Sequence, residues 1–294
     1  MSAALQPLAT SVTSPLSQAR GKTVPVNVLH LDEVPAAMEK MGWATAARLM
    51  RHWFSIKPAW EMPEEMRSGR TDPLAFLPSQ LNASIVKMDW LLGEFKRVQP
   101  VLEDLLQNWA STWATRVLVD RLKRARWTSG KILPVSIGYG LEDAQDLDAL
   151  SQINFRTIGS KLDRLDDLYG ALGVSSLKLA VAGTTRYSPL SGRSTFHTEK
   201  VGIYVRDTYD FNATGFEDWI PLGIWSRDRC LDKAETAAYL ATQPVLRSRK
   251  FPGFVPLYND DFRRWQRAHN AGGDFVVYSD IKWYRGNFPV IDLP

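Results

Sequence analysis

The run Leu177-Lys178-Leu179-Ala180-Val181-Ala182 decides the fold, because the hydrophobic period changes there. Leu177, Leu179 and Val181 alternate with Lys178, Ala180 and Ala182, which places the larger apolar side chains on one face of a strand. Val201, Ile203 and Val205 repeat the alternation, and 220–225 is a short apolar run. Phe275, Val277, Ile281 and Trp283 alternate again with Val276, Tyr278, Asp280 and Lys282.

Upstream of this point the period is helical. Asp32 and Glu33 ahead of Pro35 give an acidic first turn with proline just inside the start, and Gly42 breaks the pattern before 43–54 continues it. A proline-rich loop follows to Pro78, and the next helix is expected over 83–98. Pro100 opens another, on which Leu102, Leu105, Leu106, Trp109, Trp113 and Val117 form one stripe that fails beyond Val117. Leu162, Leu165, Leu168, Tyr169 and Leu172 predict a further helix closed by Gly173. In the second half, helices are expected at 231–241 and, after Asn259 as N-cap, at 260–269. The reading is an α+β fold, a helical N-terminal half packed with a mainly antiparallel β-rich C-terminal half. Its expected parts are a flexible lead over 1–24, a helical domain over 25–175, and a β-rich domain over 176–294 carrying the candidate catalytic residues.

Composition narrows the function classes. The 294 residues are 45% hydrophobic and 23% charged, ordinary globular usage that excludes a wholly disordered chain. A single cysteine, Cys230, excludes an intramolecular disulfide framework and any cysteine-based zinc cluster. The 36 Lys and Arg against 32 Asp and Glu leave a charge of +4, too small to argue for nucleic acid. Residues 1–26 lack the basic start and apolar stretch of a signal peptide, and no apolar run approaches the roughly 18 residues of a bilayer-spanning helix. The expectation is a soluble protein made in the cytoplasm without a signal peptide. No P-loop, dinucleotide fingerprint, His-Glu-x-x-His, Gly-x-Ser-x-Gly or EF-hand loop is present.

The densest polar constellation is Arg206-Asp207-Thr208-Tyr209-Asp210-Phe211-Asn212. Strand alternation sets Asp207 and Tyr209 on the face of Val201, Ile203 and Val205, so a carboxylate continues an apolar face, a costly placement unless it is paired or bound to a cation. Asp210 and Asn212 also suit an Asx turn bonding its own backbone. His197 shares the parity of Asp207, although ten residues of straight strand span about 33 Å and part them unless the chain turns. Asp280-Ile281-Lys282 offers an alternative catalytic pair, a carboxylate for a divalent cation and an ammonium to activate water, as in a metal-dependent nuclease acting on nucleic acid. The same pair suits a solvated strand face with an ion pair. Arg263 and Arg264, with Arg247, Arg249, Lys250 and Arg267, could bind phosphates or form a solvated face. Most of the eleven tryptophans fall on core stripes, while Trp60 and Trp219 stand in loop settings that suit ligand anchors.

The strings His52-Trp53-Phe54 with Pro58-Ala59-Trp60, the segment from Val201 to Asn212, Leu222-Gly223-Ile224-Trp225, Asn259-Asp260-Asp261-Phe262-Arg263 and Gly272-Gly273-Asp274-Phe275 resemble a proteobacterial family of unknown function. Its members are often encoded beside type VI secretion components. The resemblance covers most of the chain from about residue 28. It implies an antibacterial toxin effector injected into the periplasm of a target cell, with a secretion spike or adaptor protein and a cognate immunity protein as partners. Within it, Asp207-x-Tyr209-Asp210 is similar to the Asp-x-Tyr-Asp core of colicin-M-like toxins, which cleave a lipid-linked peptidoglycan precursor. That likeness implies a hydrolase of a phosphate ester, with Asp207 holding Mg²⁺ or acting as base, Tyr209 orienting, Arg206 neutralising phosphate, and His197 or His269 assisting. The residues after Asp210, Phe211 to Glu217, contain no His or Arg where those toxins carry one. A non-catalytic secretion adaptor and a membrane-perturbing toxin built on the tryptophan-rich helices remain the readings from other classes.

Overall fold

A computed structural model describes residues 29–212 and 220–294. The lead expected over 1–24, and Trp219, lie outside them. The strands run β1 (Leu81–Asn82), β2 (Ser136–Ile137), β3 (Gln152–Ile158), β4 (Ser175–Ser188), β5 (Arg193–Tyr209), β6 (Gly223–Trp225), β7 (Val255–Leu257), β8 (Phe275–Tyr278), β9 (Lys282–Arg285) and β10 (Ile291–Leu293). Eight of them form one sheet, antiparallel except for the pairing of β1 with β8, and β6 and β7 pair separately. The α+β architecture is as expected.

The sheet is built on the β4–β5 hairpin, which pairs from Ser176↔Arg206 to Ser188↔Arg193 with one register shift at Ala182/Gly183. β3 and β2 follow one another along the outer edge of β4, and β8, β9 and β10 lie in file along the outer edge of β5. Alternation then divides the hairpin. Leu177, Leu179, Val181, Val201, Ile203, Val205 and Tyr209 face the main core, while Ala180 and Tyr204 face a second, smaller one with Tyr278, Met62, Met66 and Leu147. The main core is covered by helices, chiefly Val34–Lys40, Ala44–Ser55 and Asp167–Leu172. Strands from before residue 175 join the same sheet as those after it, and the main core draws on residues from Leu29 to Leu293.

Several local expectations shift. The helix expected over 83–98 is Met88–Glu94 followed by a 3-10 turn, Lys96–Val98. The stripe opened by Pro100 breaks at 108–111, where Ser111 caps a new helix by accepting from the Ala114 N–H, earlier than the failure at Val117 suggested. That break leaves Trp113 half-exposed against Phe155, out of the core stripe. The helix ending at Gly173 starts only at Asp167, because Asp166 caps it through the Tyr169 N–H, and Leu162 stands in solvent.

Helix Ala44–Ser55 is fastened from a distance. The Asp167 carboxylate accepts from the backbone N–H groups of Thr45 (3.1 Å) and Ala46 (2.8 Å), two donors that the first turn cannot satisfy internally. Farther along this helix Trp53 is fully buried, edge-on to Phe211 and Phe262, which are themselves stacked 3.7 Å apart. Close packing of Gly272 against the Trp53 ring leaves no room for a side chain there, and its φ of +89° suits glycine alone.

Candidate functional site

The C-terminal end of β5, paired with β8 through Tyr209, borders a cavity of about 730 Å³. Asp207, Thr208, Tyr209, Asp210 and Phe211 line one side of it. Met38, Met50, Leu172 and Trp225 are among the apolar side chains that make most of the remaining wall, and Trp43 meets Trp225 edge-on at 5.8 Å. Two cations line it, Lys161 and Lys233, and the Lys233 ammonium donates to the Lys161 carbonyl.

Asp207 continues the apolar face of β5, as alternation predicts, opposite Val277 of β8. Burial pushes its carboxyl well above the usual aspartate range, and the neighbouring Asp210 adds to the rise. Asp210 is raised too, again chiefly by desolvation, against a smaller opposing pull from the Asn212 N–H, which donates to its Oδ1 at 3.2 Å. That contact is the expected Asx turn, so this aspartate both shapes the turn and lines the cavity. Tyr209 stacks on Phe275 at 5.2 Å, and desolvation raises its hydroxyl pKa, holding the phenol protonated. Two carboxyls and a phenol thus meet an apolar cavity in forms biased toward carrying protons.

Strand alternation separates Arg206 from its neighbour. Its guanidinium lies on the opposite face of the sheet, 3.5 Å from the Asp148 carboxylate and donating to the Met66 carbonyl, so it does not face the cavity with Asp207. His197 is opposite Thr184 near the other end of the strand, its ring 3.1 Å from the Thr195 hydroxyl, and no turn of β5 brings it to Asp207. His269 stacks on Trp265 and bonds that residue's carbonyl. Arg263 is buried in a bidentate pair with Asp274, which removes it from phosphate binding, and Arg264 pairs with Asp260 and Asp261 on its own helix. Asp280 accepts from the Met88 N–H at 2.6 Å and Lys282 pairs with exposed Asp89 at 2.7 Å, so both hold the start of helix Met88–Glu94.

The Mg²⁺ expectation can be weighed on the donor set. Among the described residues no three His, Cys, Asp or Glu are grouped to hold a metal. The cavity offers two carboxyls, and desolvation favours the protonated form of each, which does not ligate. These residues do not fit a Mg²⁺ site built by the protein.

Sequence reasoning missed a second polar constellation, on the other face of the sheet. Buried Asp148 accepts from Lys178 (2.5 Å), Tyr204 (3.0 Å) and Tyr278 (2.8 Å), with Arg206 beside it. Burial lowers the Lys178 pKa and raises those of both phenols. These groups satisfy one another, so the cluster is a structural clamp between helix Ala144–Leu150 and the sheet. Also missed was Ser175, whose parity with Leu177 and Leu179 puts a hydroxyl on the apolar face. Its oxygen is buried and finds no partner. Lys161 and Lys233 carry no sequence signal that would bring them to the cavity. The lone Cys230 lines it as well, its thiol pushed up to about 11 by burial.

The model of a family of unknown function, DUF6402, matches residues 29–291, and the chain belongs to that family. No curated protein and no solved structure matches it. Among the described residues no helix is long and apolar enough to cross a membrane.

Proposed function

We propose that this member of a family without an assigned activity is a hydrolase of the toxin-effector kind, acting by general acid–base catalysis at Asp207 and Asp210 on a substrate with an apolar body. The observation that supports it is the pair of desolvated carboxyls in the wall of a large apolar cavity, Asp207 raised the more strongly. Perturbed carboxyls in a cleft are a common mark of catalytic sites. Asp207, the more strongly raised, serves as acid and protonates the leaving oxygen. Asp210, raised less than Asp207, serves as base in its ionised form and takes a proton from the attacking water. Both carboxyls are raised by desolvation, but unequally, and that inequality divides acid from base. Tyr209 donates a hydrogen bond to orient the reacting group.

The substrate is a lipid-linked phosphate of cell-wall synthesis, and the chain acts as a type VI effector that a cognate immunity protein neutralises. The apolar wall suits the lipid, and Lys161 and Lys233 supply the positive charge for phosphate in place of Arg206. No step runs through a metal.

The test is incubation of the purified chain with an undecaprenyl-linked peptidoglycan precursor, following release of the water-soluble headgroup. Asp207→Asn keeps the shape and removes the titratable proton, and a general acid's removal typically costs 100-fold or more. Release that is absent from the wild type, or equal in the variant, overturns the assignment. Expression directed to the periplasm is expected to arrest growth while the same chain in the cytoplasm does not. The opposite pattern, with loss of DNA or RNA, would favour the nuclease reading.

A further inference from the structure

The exposed part of the cavity wall marks where the cavity opens. Lys161, Val174, Ile220, Leu222 and Lys233 are its exposed lining residues, and three of these are large and apolar. Leu162, beside Lys161 but outside the wall, is 88% exposed. The segments that carry them meet. Gly159 abuts the Gly173 carbonyl so closely that a side chain would clash, which sets the turn at 159–162 against Val174. The Lys233 ammonium reaches the Lys161 carbonyl at 3.1 Å, and just before Lys233 the Leu231 N–H donates to the Ile224 carbonyl, two residues from Leu222. Single exposed apolar residues are ordinary, but four around the mouth of an apolar cavity make a patch of the kind that marks an interaction site. Cations share the rim, Lys233 in the wall and Arg164 exposed two residues after Leu162. Among the described residues, the acids on these segments are directed elsewhere. Asp163 and Asp166 pair with Arg97, Asp167 holds the start of helix Ala44–Ser55, Asp228 pairs with Lys40, and Asp232 caps helix Lys233–Ala241 through the Glu235 N–H.

We infer that this mouth docks on an anionic lipid bilayer, with Leu162, Val174, Ile220 and Leu222 entering the headgroup layer and Arg164 and Lys233 set against the lipid phosphates. The inference rests on the reading that the cavity takes a lipid-linked phosphate, and adds how that substrate arrives: its lipid passes from the bilayer into the cavity without crossing water. Apolar side chains ringed by cations suit interfacial binding, which draws on buried apolar area and on attraction to anionic lipid together. A second copy of the chain suits this face less well, because a twofold contact would bring two cationic rims together.

The test sediments the purified full chain with vesicles of phosphatidylglycerol and phosphatidylcholine in equal parts, and with vesicles of phosphatidylcholine alone. Wild type is expected to bind the anionic vesicles the more tightly. Leu162→Asp, a surface change that leaves the melting temperature near that of the wild type, is expected to weaken that binding about tenfold or more, having lost an apolar contact and gained a repelled charge. Leu190→Asp, at the exposed tip of the β4–β5 hairpin, is expected to bind as the wild type does. Should Leu162→Asp not fold, Arg164→Glu is read in its place. Absence of binding to anionic vesicles, or an equal loss in the Leu190 variant, overturns the docking face. So does a dimer in solution that Leu162→Asp dissolves while vesicles stay unbound, which would give the face to a second copy. Headgroup release is then compared for a precursor embedded in vesicles and for a short-chain, water-soluble analogue. Leu162→Asp is expected to lose most of the first rate and keep the second. Release from the soluble analogue without vesicle binding overturns the docking and leaves the hydrolase, whereas vesicle binding with release from neither substrate overturns the hydrolase and leaves the docking.

Discussion

Arg263 grips Asp274 through both guanidinium amines, at 2.9 and 2.7 Å, with Asp274 wholly buried and Arg263 nearly so. The same carboxylate takes the Trp53 indole N–H at 3.0 Å and the Met62 backbone N–H at 3.0 Å, so one buried anion ties together helix Ala44–Ser55, helix Asn259–His269 and the segment before Met66. Removing one partner of a buried ion pair leaves an uncompensated charge, typically a loss of 3–5 kcal/mol. Arg263→Met is expected to lower stability by about that amount in urea denaturation, and Arg263→Met with Asp274→Asn to recover part of it. Recovery of nothing would mean that packing, and not charge, carries the site.

Asp167 is the second fastening. Its carboxylate stands in for the N-cap side chain that helix Ala44–Ser55 lacks. Loss of an N-cap costs about 1–2 kcal/mol. Asp167→Ala is expected to lose at least that much, and Asp167→Asn, which keeps an accepting oxygen, distinctly less. Thermal melts of the two variants side by side decide it.

A pH signature belongs to Asp207. Its folded pKa is raised, so the folded state holds this proton at pH values where the unfolded chain, near the ordinary value of about 3.9, has released it. The stability tied to this group is fully present below that value and is lost as pH rises through the folded pKa. Asp207→Asn does not titrate, so it is expected to match the wild type near pH 4 and to become the more stable protein toward pH 7. Equal stability at both ends would show that the carboxyl is not desolvated in solution.

The Asp148 cluster sets a different expectation. Asp148→Ala leaves Lys178 and Arg206 close together without their anion, and a loss of about 3–5 kcal/mol is expected. Tyr278→Phe deletes one hydrogen bond to a charged group, worth about 1.5–3 kcal/mol. Chemical denaturation of both variants tests the order.

What the sequence made legible is local. The period-two runs name the faces of β4 and β5 correctly, and Asp207 continues an apolar face as the alternation requires. The same rule puts Arg206 on the opposite face from Asp207, away from the phosphate role expected of it. β3 escaped notice because its burial ignores hydrophobicity: Gln152 and Asn154 are inside, bonded to backbone carbonyls, while Phe155 is outside. Asp148 with its partners, Arg263 with Asp274, and Asp167 with the 44–55 helix are joined across 11 to 130 residues of chain, and such meetings are made by the fold. The cavity has the same origin, since no segment lines it alone.

The file of β8, β9 and β10 along β5 has a consequence for how the chain acquires its shape. The β4–β5 hairpin closes through a short turn and can form early, but the partners for its second edge are residues 275–293. Until those residues are available, β5 presents a long row of unpaired backbone groups next to an apolar face, a template for pairing with other chains. Synthesis or truncation that stops short of residue 275 is therefore an aggregation hazard.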